Sequence, residues 1–118
     1  MDTQKAIMAF SQSEKIKAGI IWLSQSLEML GGLPNADKPG GQAIVQALAN
    51  MMLQEIELTQ TIAPDERWEE AGKNVDKAIV MIHSGVGPES VTHLTQALSQ
   101  VTSIGQLTMS FLKDEGLL

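Results

Sequence analysis

Apolar residues along this chain recur at intervals of three and four, which is the periodicity of a helix with one buried face. The first such stretch carries Ile16, Ile20, Leu23, Leu27 and Leu30 and ends at a pair of glycines. Three further stretches show the same spacing, and glycine and proline clusters that typically begin or end helices separate them. No stretch alternates between apolar and polar residues as a half-buried strand does. The pattern therefore predicts helices at about residues 3–30, 41–62, 65–84 and 88–114.

Four helices joined by mostly short connections predict an all-α fold, in which residues 1–118 form a single domain. Consecutive helices that are joined in this way run antiparallel, so the economical architecture is an up-down-up-down four-helix bundle. The connection after the first helix is longer, at roughly ten residues, and this length leaves room for some other arrangement.

The composition argues against several classes of function. Fourteen acidic and eight basic side chains give a net charge of −6, so the chain lacks the basic surface that nucleic-acid binding and attachment to acidic membranes require. Without cysteine it has neither disulfides nor thiolate ligands. The first residues do not begin a secretory signal, and we expect a cytoplasmic location. Residues 90–112 carry no charge, but they contain too many Ser, Thr and Gln residues for a membrane-spanning helix.

Two long segments, residues 39–54 and 90–112, contain no Asp, Glu, Lys or Arg. A bundle helix that faces water on one side normally displays Lys and Glu there, and depletion of charge is typical of the centre of an interface. We therefore predict that the second and fourth helices lie partly under another protein surface, with a homodimer favoured. The alternative is a neutral face of Ser, Thr and Gln in contact with water. The candidate contact residues are Gln46, Gln96, Gln100, Phe111 and Leu112.

The two chain ends offer a second candidate surface. The first helix is predicted to be about 40 Å long and the third about 30 Å, so the first and fourth helices would overhang their neighbours at the end that holds both termini. Frayed termini without a role are the alternative. The overhanging segments carry the apolar residues Ile7, Met8, Phe111, Leu112, Leu117 and Leu118.

The two histidines suggest an alternative function. His83 and His93 lie on either side of the turn between the third and fourth helices, and Glu89 precedes His93 by four residues on the same helical face. Two imidazoles and a carboxylate can bind a divalent cation, so a small-ligand or metal-binding bundle is the alternative to an interaction protein. The simpler interpretation is a surface histidine at a helix C-terminus and an ordinary Glu–His pair.

Patterns that would indicate catalysis are missing from the sequence. The chain has no Glu-x-x-His pair for a di-iron site, no Gly-x-Ser-x-Gly nucleophile elbow and no phosphate-binding glycine loop after a strand. Trp22 and Trp68 are interpreted first as residues of the core or its boundary, with an interface anchor as the alternative. The seven methionines are interpreted as gap-filling core residues, with an adaptable peptide-binding groove as the alternative. The sequence thus predicts a non-enzymatic, homo-oligomeric bundle without a cofactor that acts as a protein–protein interaction or scaffold module.

Overall fold

A computed structural model describes all 118 residues and contains four long helices and no strand, which confirms the predicted all-α four-helix fold. The helices α1 to α4 cover Thr3–Gly31, Lys38–Ile62, Glu66–His83 and Val91–Asp114. A single 3₁₀ turn, Gly87–Ser90, precedes α4. Every boundary therefore lies within three residues of its predicted position.

Aspartates cap the N-termini of α1 and α3. The carboxylate of Asp2 accepts a hydrogen bond from the backbone N–H of Gln4 at 2.8 Å, and that of Asp65 accepts one from the backbone N–H of Arg67 at 2.8 Å. Each cap satisfies a backbone donor that has no partner in the first turn, and its negative charge suits the positive end of the helix dipole. These local interactions fix where the two helices begin.

The second helix begins three residues earlier than the sequence pattern predicts, at Lys38. Pro39 lies in its first turn, where the missing N–H removes no hydrogen bond because a donor at this position has no partner within the helix. Gly40 and Gly41, which the pattern interprets as the entry to this helix, therefore lie inside it. The connection from α1 is only Gly32–Asp37, which holds α1 and α2 as direct neighbours.

Contacts between the helices show an antiparallel arrangement. Gln12 of α1 bonds to Thr59 of α2, and Lys15 pairs with Glu55, so residue numbers rise along one helix as they fall along the other. Each helix packs against the next one in the chain, and α4 packs against α1, but no Cα atoms of α2 and α4 come within 8 Å. The helices therefore occupy the corners of a square, with α2 and α4 on a diagonal, in a bundle of 54 × 21 × 19 Å.

A hydrophobic core runs along the centre of this square. All five residues that define the predicted apolar stripe of the first helix are buried. Burial of these stripes against one another is the main source of stability in such a bundle. The largest fully buried side chains are those of Trp68, Ile16, Ile20, Leu23, Leu27, Ile56, Ile82, Leu94 and Ile104.

Candidate interaction surface

Large apolar side chains are exposed along one line on α1 and along one line on α2. On α2, Ile44, Met51 and Leu58 lie seven residues apart, and each exposes more than half of its surface. On α1, Trp22 and Met29 are also seven residues apart and are exposed by 61% and 73%. Seven residues are close to two helical turns, so each line follows one face of its helix.

These two lines lie side by side on the bundle. At one level, Lys15 forms a 2.9 Å ion pair with Glu55 across the two helices. At another level, nearer the connection between the helices, Met29 and Ile44 line the same shallow groove. Trp22 lies midway between the two levels on the same face of α1, because Lys15 and Met29 are each seven residues away from it. We define the α1–α2 face as the six residues Trp22, Met29, Leu33, Ile44, Met51 and Leu58.

The groove at the end of this face has a volume of about 200 Å³, and none of its lining residues carries a charge. Gly41 allows the connection to fold back closely over the helices, since a Cβ atom there would lie 2.8 Å from Cδ1 of Leu33 and 2.9 Å from Cδ1 of Leu30. The groove is therefore suited to an apolar side chain from another protein, and it contains no ionisable group that could perform acid–base chemistry.

The electrostatic potential at the α1–α2 face is determined by one ion pair that has no net charge. Lys15 and Glu55 form the only ion pair that joins two helices of the bundle. Gln12 donates from Nε2 to Oε2 of Glu55 at 2.9 Å. The hydrogen bonds from Gln12 and then from Lys15 lower the pKa of Glu55, and they outweigh the opposing effect of its partial burial. Because the positive and negative groups cancel, this pair adds nothing to the net charge of the chain.

The glutamines predicted as contact residues lie in three different surroundings. Gln46 is half-buried between α2 and α3, with its Nε2 atom 3.2 Å from Nδ1 of His83. Gln100 is half-buried, and its Oε1 atom accepts a hydrogen bond from Nδ2 of Asn74 at 3.1 Å. Gln96 alone among the three is exposed. Two of the three are thus engaged within the bundle rather than directed to a partner.

The prediction of Leu112 as an exposed contact residue is wrong, because only 3% of its surface is accessible. The core-facing side of α4 continues to its last turn, where Thr108 and Leu112 follow one another at a spacing of four and are both buried. Phe111 beside them is half-buried. The remaining apolar residues predicted at this end are exposed, and they are Ile7, Met8, Leu117 and Leu118.

The uncharged segments of α2 and α4 do not form one continuous surface, because the two helices lie on a diagonal of the bundle. The outer side of α4 exposes the neutral polar residues Thr92, Thr95, Gln96 and Ser99 together with Val91 and Leu107. The hydroxyl of Thr95 donates to the backbone carbonyl of Val91 at 2.9 Å. The outer side of α2 also exposes polar residues, but it carries the line of Ile44, Met51 and Leu58, which lies beside the exposed apolar line of α1.

The candidate metal ligands are not brought together. His83 bonds to Gln46 of α2, whereas His93 is half-buried on α4, where its Nδ1 atom is shielded from water and has no hydrogen-bond partner. No group of three or more His, Asp or Glu residues is arranged to hold a metal ion. His83, Glu89 and His93 therefore do not form the metal site that their spacing suggested.

Trp22 is the residue whose exposure the preferred interpretation missed. That interpretation placed it in the core or at its boundary, with an interface anchor as the alternative, but 61% of its surface is exposed, and Trp68 is the tryptophan that fills the core. The sequence feature that indicates an exposed apolar face here is the seven-residue spacing of Ile44, Met51 and Leu58. Such a repeat on a helix that already has a separate core stripe indicates a second packing surface.

Comparison of the chain with models of protein families, with curated proteins and with solved structures finds no match. None of the helices combines the length and the apolar character needed to cross a lipid bilayer.

Proposed function

We propose that this chain is a non-enzymatic protein–protein interaction module that acts as a homodimer. The observation that carries the proposal is the α1–α2 face, which gathers six exposed large apolar side chains on one side of the bundle. Soluble monomers rarely expose a contiguous apolar patch larger than a few hundred Å². Tryptophan and methionine, which are both present here, are enriched in protein interfaces.

The physical driving force is the removal of this apolar surface from water. Trp22, Met29 and Ile44 each expose more than 60% of their surface, and a large side chain in this state offers on the order of 100 Å² to a partner. Burial of apolar area is favourable by about 25 cal/mol per Å². None of the six residues of the face is charged, so burial of these side chains does not itself take a charged group out of water.

The ionisable groups with displaced pKa values support binding rather than catalysis. The guanidinium of Arg67 lowers the pKa of the Asp65 carboxyl, and the carboxylate in turn raises the pKa of Arg67. Hydrogen bonds from Gln12 and Lys15 likewise lower the pKa of Glu55. Since each of these groups is engaged by a neighbour in an ion pair near the surface, none is left free to act as a general acid or base.

The test of this function is the molar mass of the protein in solution. Light scattering coupled to size-exclusion chromatography should give twice the chain mass of 12.7 kDa. Sedimentation velocity between about 1 and 100 µM should show the dimer dissociating as the concentration falls. A mass of one chain over this whole range would contradict the proposal.

A further inference from the structure

We infer that the second copy packs on the α1–α2 face, in a two-fold dimer centred near Trp22. This inference rests on the proposed self-association and assigns it to a definite surface. It replaces the pairing of α2 with α4 that the charge distribution suggested. The two hypotheses predict different interfaces, because α4 takes no part in the interface inferred here.

The arrangement of the helices excludes a single flat partner surface that covers α2 and α4 together. These helices lie on a diagonal of the bundle, so one of them always points away from a partner that covers the other. Neighbouring helices can share a partner, and α1 and α2 are the neighbours whose exposed apolar residues are continuous. The uncharged stretch of α2 then belongs to the interface, and α4 remains in contact with water.

The spacing of the exposed residues indicates which kind of partner fits. Ile44, Met51 and Leu58 repeat every seven residues along α2, as do Trp22 and Met29 along α1. A seven-residue repeat of this kind packs against another long helix at a small crossing angle, with each side chain entering a space between residues of the partner. A second copy of the chain presents two such helices with the same repeat, so that the side chains of each copy can enter the spaces between residues of the other.

The size of the face matches that of a stable dimer. The two helices of this side are 29 and 25 residues long, or roughly 43 and 37 Å, and the bundle is about 20 Å across. A stable interface buries roughly 800 Å² on each partner, which is close to the area of a side of this length and width. Trp22 lies in the interior of the face, where residues that dominate binding energy are usually found.

Charge also favours a second copy in an antiparallel orientation. The Lys15–Glu55 pair lies two turns from Trp22 on one side, and the Met29–Ile44 groove lies two turns away on the other. A two-fold axis at the level of Trp22 therefore places the two ion pairs at opposite ends of the interface, at its rim, where charged groups remain in contact with water. The two ion pairs are then about 20 Å apart, and like charges do not face each other at the centre of the dimer.

The first test uses single substitutions that introduce a charge at an exposed position. Ile44→Glu and Trp22→Glu should each weaken dimerisation by at least about 100-fold, because the carboxylate would be buried against an apolar partner. Val80→Glu is the matched control, since Val80 is an exposed apolar residue on α3 with 59% of its surface accessible, and this variant should dimerise like the parent chain. Circular dichroism establishes that each variant is folded.

The outcomes separate the inference from the proposed function. If the parent chain is a dimer and both Ile44→Glu and Trp22→Glu remain dimers of unchanged affinity, the interface lies elsewhere and the inference is wrong, while the proposed function stands. If the parent chain is a monomer throughout the concentration range, both fail.

A second test does not depend on disrupting the dimer. The chain contains no cysteine, so Met51→Cys introduces the only thiol, on the central part of the face. A flexible bis-maleimide, which adds one thiol to each of its two double bonds, should convert most of this variant to a covalently linked dimer, because the two Met51 positions lie in the same interface but further apart than a disulfide can span. Val80→Cys should remain a single chain under the same conditions. A parent chain that dimerises, combined with equal crosslinking of the two variants, would overturn the inference.

Discussion

Met52 of α2 lies directly against the backbone of Gly19 of α1, and a Cβ atom on Gly19 would overlap the Sδ atom of Met52. Both residues are buried. The absence of a side chain at Gly19 therefore allows α1 and α2 to approach closely at the level of the bundle just inside the α1–α2 face.

A large side chain at Gly19 should separate the two helices and destabilise the fold. We expect Gly19→Leu to lower the free energy of unfolding by about 1–3 kcal/mol, the range found when extra atoms are forced into a packed core. Met52→Ala in the same background should restore part of the loss, because it vacates the space that the leucine needs. Urea denaturation of the two single variants and the double variant gives the coupling energy, and a coupling of zero would contradict this account of the contact.

The hydrogen bond between Asn74 and Gln100 should matter for stability and not for association. Asn74 is buried, and its Nδ2 atom donates to the backbone carbonyl of Glu70 at 3.2 Å and to Gln100 at 3.1 Å. Gln100→Ala leaves this amide with one partner fewer and should lower the free energy of unfolding by about 1 kcal/mol. Gln96→Ala, at an exposed position on the same helix, should change it by less than about 0.5 kcal/mol.

Both variants should keep the dimerisation constant of the parent chain, as measured by sedimentation. Weaker association of Gln96→Ala and Gln100→Ala would instead favour the interface on α4 that the charge-free segment suggested.

Acid should destabilise the protein through Glu55 and Asp65. The pKa of Glu55 is lowered mainly by its hydrogen bond from Gln12, and that of Asp65 mainly by its bond from Arg67. A carboxyl group with a lowered pKa in the folded state contributes stability above its ordinary pKa, and this contribution is lost as the pH falls through the lowered value. The ordinary values are 4.5 for Glu55 and 3.8 for Asp65, so the melting temperature should fall as the pH is lowered below about 5.

The double variant with Glu55→Gln and Asp65→Asn should show a smaller loss of melting temperature over the same range, because neither side chain can take up a proton. Glu28→Gln is the control, as the Glu28 carboxylate makes no ion pair or side-chain hydrogen bond. A pH dependence that is the same in all three proteins would show that these two groups do not cause it.

Intrinsic fluorescence should report the dimer through Trp22. Trp68 is fully buried in the single chain, whereas Trp22 exposes 61% of its surface. Dimerisation through the α1–α2 face transfers the indole of Trp22 out of water, so its emission should shift to shorter wavelength as the protein concentration rises. In Trp22→Phe, the remaining emission from Trp68 should be independent of concentration. A shift that persists in this variant would locate the change at Trp68 instead.

The helices could be predicted from the sequence because the spacing of the apolar residues within each helix shows which of its sides is buried. Ile16, Ile20 and Leu23 reveal the buried side of α1 without reference to any other helix. The beginning of α2 was misplaced because proline and glycine act as loop signals in general but are compatible with the first turn of a helix. Distinguishing these cases requires the packing of Gly41 against Leu30 and Leu33 at the end of α1.

The candidate surface was only partly predictable, because it depends on which helices are neighbours. The absence of charge on α2 and α4 is visible in the sequence, but their diagonal placement is a property of the assembled bundle. Leu112 was misjudged for the same reason, since a terminal apolar residue is buried or exposed according to how far the adjacent helices extend. The exposure of Trp22 also follows from its position at the edge of the contact between α1 and α2, which its spacing alone does not reveal.

The two helices of the α1–α2 face are consecutive in the chain and are joined only by Gly32–Asp37. During synthesis this hairpin leaves the ribosome before α3 and α4 do. At that stage α2 exposes apolar residues on two sides, those that later enter the core and those of the outer face. The hairpin alone therefore has two exposed apolar sides, the property that makes partly folded chains prone to aggregation, and the packing of α3 and α4 covers only the core side.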